Sequence, residues 1–159
     1  SLSNTSIVEV ALPSMGTPAR VGSEARWVLR NFLLMAVFFA ANHGTVTALI
    51  ALASSSLGRT LGNASSAMLY FVYTLTAAFL SNYTTAALGA KRTLQLGLGV
   101  YCAYVVSYLV AYASPVAARW IAVLIGAVLG GFAAGTLWPA QGWYYAESAE
   151  RYARATGIS

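Results

Sequence analysis

The run WIAVLIGAVLGGFAAGTLWPAQGWYY (residues 120–145) carries no charged side chain and is long enough to cross a bilayer, which takes about 17–25 helical residues. Three more apolar runs precede it, at 31–53, 67–88 and 94–113. The 159-residue chain is 58% hydrophobic and 8% charged, against about 25% charged in an ordinary soluble domain, which sets it in the membrane class. Hydrocarbon offers the backbone no hydrogen-bonding partner, so a segment that crosses it must satisfy its own amides. The short alternating strands of a barrel are missing. The expectation is an all-α membrane protein with four transmembrane helices in an up-down arrangement. Residues 1–30 form an extended or disordered arm, 31–145 the four-helix domain, and 146–159 an amphipathic soluble helix extension and tail.

Within the opening run, Gly126-x-x-x-Gly130 and Gly131-x-x-x-Gly135 make two overlapping ridges of small residues. Lipid supplies no hydrophobic drive between helices, so surfaces that let backbones approach closely do much of the packing. Thr74, Ala78, Ser81 and Thr85 give the second run a comparable stripe. Pro139 has no amide hydrogen, so a kink is expected there, with Gln141 as partner for the freed Gly135 carbonyl. Glu147 with Arg151 and Glu150 with Arg154 are i,i+4 pairs that extend the helix to Gly157. In the first connection, 54–66, Asn63 or Ser65 is placed to cap the second span. In the third run, Tyr101, Tyr104, Tyr108 and Tyr112 share one helical face, as packing or as a ligand platform.

The first run is interrupted by Asn42, His43 and Thr47. Polar side chains at this depth face a partner or a cavity. Three readings stand for His43: an interhelical hydrogen bond as the default, a lining group of a solute pathway, or an axial ligand to the magnesium of a chlorophyll-type pigment. Asn82, Gln141 and Glu147 are further pigment-ligand candidates, and Asn42, His43, Trp138 and Gln141 are the candidate cavity contacts. Bound lipid is the other small-molecule option.

Chemistry beyond this is sparse. All four acidic residues lie outside the apolar runs, His43 is the single histidine, and no nucleophile, phosphate loop or metal-ligand spacing is present. An enzyme is not expected, nor a metal site. Cys102, the one cysteine, reads as a small packing residue. The net charge of +5 sorts by connection instead of forming a nucleic-acid face. Arg20, Arg26, Arg30, Lys91, Arg92, Arg151 and Arg154 fall on one side, and Arg59 and Arg119 on the other. This bias puts both termini on the cytoplasmic, stromal or matrix face. The start at Ser1 keeps a plastid or mitochondrial membrane open.

Leu57-Gly58, Leu69-Tyr70, Leu88-Gly-Ala-Lys91, Leu94-x-Leu-Gly97, Tyr101-x-x-Tyr104, Leu137-Trp-Pro-Ala-Gln-Gly142 and Tyr152-Ala153 resemble the Unc-ninety-three-like branch of the major facilitator superfamily. The resemblance runs from Asn31 to about Tyr152 and matches that family's first four helices. It implies that Asn42, His43 and the segment from Trp138 to Gly142 approach a central cavity. The 89–93 loop lacks the aspartate of the general superfamily motif, and Pro139 stands where the family more often has a hydroxyl residue. Transport by alternating access takes two six-helix halves, which four helices do not supply. The leading expectation is therefore a non-catalytic accessory or scaffold subunit of a larger membrane complex, in its pigment-binding form part of a photosynthetic one. The alternative is the N-terminal fragment of a solute or ion transporter or channel regulator.

Overall fold

The computed structural model describes residues 18–158, with side chains from residue 22. The described chain is all helix: α1 (Pro18–Leu57), α2 (Arg59–Phe79), α3 (Ser81–Leu88), α4 (Ala90–Tyr112) and α5 (Val116–Thr156). By length and apolarity α1, α4 and α5 each suffice to cross a membrane, and a fourth span results if α2 and α3 are one bent element.

The breaks are shorter than the sequence suggested. Gly58 (φ 87°, ψ 148°) and Gly89 (φ 78°, ψ 154°) each turn the chain in a single residue, in a region of backbone space that side chains with a Cβ rarely enter. The expected 54–66 connection is thus helical on both sides of Gly58, and α2 begins at Arg59 without a side-chain cap. Asn63 and Ser65 do other work: Asn63 Oδ1 accepts from Ser54 Oγ at 2.8 Å, and Ser65 Oγ lies 3.3 Å from Tyr108 Oη.

The second run is not one straight helix. It bends by 59° at Leu80, with no proline or glycine present. Hydroxyls cluster at the bend: Ser81 Oγ donates to the Ala77 carbonyl at 2.7 Å, Thr84 Oγ1 to Ser81 at 3.0 Å, and Thr93 Oγ1 to Thr84 at 3.3 Å. Such bonds satisfy the hydroxyls in a dry environment and favour a bend. The bend re-phases the expected stripe. Ser81 and Thr85 are buried, but Thr74 and Ala78 are exposed, and α2 meets α5 through Leu69, Val72 and Thr76 instead.

Residues 18–30, expected as part of an extended arm, are the first turns of α1. Pro18 is the first helical residue, where a missing amide hydrogen costs nothing. These turns pack on the far end of α5: Val28 shares a cavity wall with Tyr145, Ser148 and Tyr152, and Phe32 meets Tyr145 edge-on at 5.7 Å. The stretch after 145 is therefore part of the bundle. Ser148 and Ala155 are buried, while Glu147–Arg151 (2.6 Å) and Glu150–Arg154 (3.4 Å) pair on the outside, and Gly157 closes the helix in a left-handed conformation. Residues 1–17, the rest of the expected arm, lie outside the described residues.

α5 is the centre. Gly97 lies against Leu137, Tyr104 against Gly130 and Ser107 against Gly126, so α4 runs antiparallel to α5; Leu69 against Gly131 and Thr76 against Gly135 make α2 parallel to it. The two glycine ridges thus divide between the neighbours, Gly126 facing α4, Gly130 lying between Tyr104 of α4 and Leu69 of α2, and Gly131 and Gly135 facing α2. Tyr101, Tyr104 and Tyr108 are core residues, with Tyr104 Oη donating to Tyr108 Oη at 3.2 Å; Tyr112, at the end of the stripe, is exposed. Of the apolar window of α5, 56% is buried inside the bundle, against 11% for α1, which is the outer helix.

Close approach sets a test. A Cβ at Gly131 falls 2.5 Å from the Leu69 carbonyl oxygen, whereas at Gly142 it meets nothing within 4 Å. Gly131→Ala is expected to lose about 1–3 kcal/mol through overpacking, and Gly142→Ala to hold or gain stability, measured as reversible unfolding in bicelles. Equal effects would contradict the assigned contact.

Candidate polar site at the crossing of α1 and α5

Asn42 and His43 lie on α1 where its inner face crosses α5. Phe39, one turn before His43, stacks on the imidazole at 6.0 Å, and Trp138 of α5 meets both rings edge-on, at 5.3 Å from Phe39 and 5.0 Å from His43. The turn of α5 that carries Trp138 is fixed by its neighbours: Leu137 and Ala140 are fully packed, and Thr136 Oγ1 donates to the Phe132 and Ala133 carbonyls at 3.1 Å. The helix continues through Pro139. Gln141 makes no hydrogen bond to the Gly135 carbonyl; it faces a groove shared with Phe32, Met35 and Trp138.

The polar contacts of the pair are thin. His43 Nε2 lies 3.4 Å from Thr47 Oγ1, within α1, and Asn42 Nδ2 donates to Cys102 Sγ of α4 at 3.9 Å, a weak bond. Asn42 Oδ1 and His43 Nδ1 are buried and have no hydrogen-bonding partner among the described residues. Orphaned buried polar atoms cost about 1–3 kcal/mol each, so such pairs are uncommon in a core without a role. The default reading of His43 as an interhelical hydrogen bond is not what the geometry gives. Its one hydrogen-bond contact is local, and its link to α5 is aromatic.

The structure thus brings Asn42, His43 and Trp138 together and sets Gln141 in the neighbouring groove. It does not gather the pigment-ligand candidates. Asn82 is exposed on α3, and Glu147 is held by Arg151. Among the described residues, no three His, Cys, Asp or Glu side chains converge on a metal position. Phe39 was missed, although its spacing of four from His43 announces the contact. Cys102, expected as a packing residue, is exposed, and nothing in the sequence sets it beside Asn42.

Compared with known families, curated proteins and solved structures, the chain matches none. Function is therefore argued from the residues.

Removing the orphan acceptor gives a direct check. Asn42→Leu keeps the branching and the number of heavy atoms, and deletes an unpartnered carbonyl at the cost of one weak sulfur contact. The isolated chain should keep its thermal stability or gain up to about 1 kcal/mol. A loss of that size would show that Asn42 bonds within the fold more strongly than its geometry indicates.

Proposed function

We propose that this chain is a non-catalytic membrane subunit that attaches to other membrane helices through the outer face of α1. The observation that carries the reading is Ala40, Gly44 and Ala48, which follow one another at one-turn steps on that face and are all exposed. A Cβ on Gly44 would meet nothing within 4 Å. Four of the five α5 glycines, Gly126, Gly130, Gly131 and Gly135, are buried where helices touch. A small-residue ridge left open on the least buried span has the form of a helix-contact surface. The α5 ridges are occupied within the bundle and do not serve an outside partner.

The resemblance to the first four helices of the Unc-ninety-three-like branch supports the same reading, since members of that family are better known as partners of channels and receptors than as transporters. In that frame α2 and α3 act as one bent span, the four spans run up and down, and both termini lie on the side that holds most of the basic residues.

A second reading, the first part of a solute or ion transporter, is favoured by Asn42 Oδ1 and His43 Nδ1. Unpartnered polar atoms beside Trp138 suit a cavity wall completed by further helices. Both readings cover α1 with additional helices, and they differ in whether those belong to the same polypeptide.

Purification from the native membrane in mild detergent separates the outcomes. The account expects the chain in a larger assembly, and Gly44→Ile releasing it with helix content unchanged. Separate co-migrating polypeptides support the subunit reading, and a longer polypeptide with additional spans supports the transporter. A native chain that behaves as a four-helix monomer, indifferent to Gly44→Ile, would overturn both.

A further inference from the structure

At the end of the bundle where α1 and α4 begin, two cavities adjoin. One, of about 150 Å³, is lined by Trp27, Asn31, Lys91, Tyr144, Glu147 and Arg151 among others. The other, of about 300 Å³, runs on between α1 and α4 past Leu34, Phe38, Leu94 and Leu98. Asn31, Lys91 and Tyr144 line both, which makes them one continuous groove. Its polar part holds charged and amide groups with Trp27 beside them, its long part is mostly hydrocarbon with Gln95 as the added polar group, and Tyr144 stands where the two join. Aromatic residues with a polar tip favour that depth in a bilayer.

Charge decides what the polar part accepts. Glu147 is the single carboxylate on the wall, and Arg151 holds it at 2.6 Å. Lys91 is exposed and has no carboxylate within ion-pair distance among the described residues, so the wall keeps one net positive charge. Arg92 adjoins it in sequence, and Arg26 and Arg30 lie at the same end of α1. A basic pocket between membrane helices, opening into an apolar seam at the lipid interface, has the chemistry of an anionic headgroup with its acyl chain.

We propose that this groove binds one anionic phospholipid, its phosphate at Lys91 and one acyl chain along the seam between α1 and α4. A free phosphate ion would leave the apolar part unused, and a zwitterionic lipid would bring a cation beside its phosphate and leave the net positive charge of the wall unneutralised. The site is independent of the partner reading, because it is built from α1, α4 and α5 of this chain alone.

Native mass spectrometry of the full chain, released from micelles carrying phosphatidylglycerol or phosphatidylcholine of the same acyl composition, tests the proposal. Phosphatidylglycerol should be retained over phosphatidylcholine by about fivefold, the weight of one basic side chain at an anionic surface. Lys91→Gln should abolish that preference and leave phosphatidylcholine retention unchanged. Leu34→Trp, which fills the seam from a half-exposed position, should lower retention of both lipids. Arg59→Gln, at the opposite end of the bundle, should change neither. Equal retention of the two lipids by the unmodified chain, as expected of a groove meant for a partner helix, would overturn the proposal. So would a preference that survives Lys91→Gln, or a Leu34→Trp chain that holds lipid as before.

Discussion

Everything in this bundle depends on how closely α5 approaches its neighbours. Gly126 and Gly130 let Ser107 and Tyr104 of α4 lie directly on the α5 backbone, and Gly131 and Gly135 do the same for Leu69 and Thr76 of α2. In lipid the apolar side chains gain nothing by leaving one surface for another, so this contact, with its dispersion energy, is what orders the helices. The Tyr104–Tyr108–Ser65 hydroxyl chain shows the complement of that approach: it ties α4 to α2 next to the glycines, where the backbones leave room for no larger group.

The same logic explains why α1 stands apart. It touches α5 through aromatic rings, not through glycines, and its buried face holds two polar atoms without partners among the described residues. Its closest backbone approach is at its far end, where Gly62 of α2 lies on Ala53 and Ser54, so most of its length is left open on the outer side, and the small outer face is the chemistry a further interface uses. The asymmetry between an α5 enclosed by its glycine contacts and an α1 open along its outer face links the fold to the proposed role.

Much of this was legible in the sequence, and the limits have physical causes. The apolar runs and the glycine ridges announced helices and close packing, because both depend on local composition and spacing. Which neighbour each ridge faces is tertiary information, since nothing in the spacing says that Gly126 lies on α4 and Gly131 on α2. The bend at Leu80 carries none of the usual marks, as hydroxyl groups bonded to backbone carbonyls accompany it in place of proline. The start of α1 is the opposite case: a proline that breaks a helix interior is harmless at its first residue, so Pro18 opens a helix in a stretch whose composition suggests an arm. At the candidate site, Asn42, His43 and Trp138 stood out as polar or aromatic groups in apolar runs, but Asn42 and Cys102 meet only because α1 runs beside α4.

The most direct test concerns the open face of α1. A photoreactive diazirine side chain placed at Ala48, with Ile125 on the outer side of α5 as the comparison, reports what lies against each position in the native membrane. The account predicts cross-links from position 48 to another membrane helix, on a separate chain or on further spans of a longer one, and lipid adducts alone from position 125. Lipid adducts alone from both would contradict it and leave the chain a bundle complete in itself.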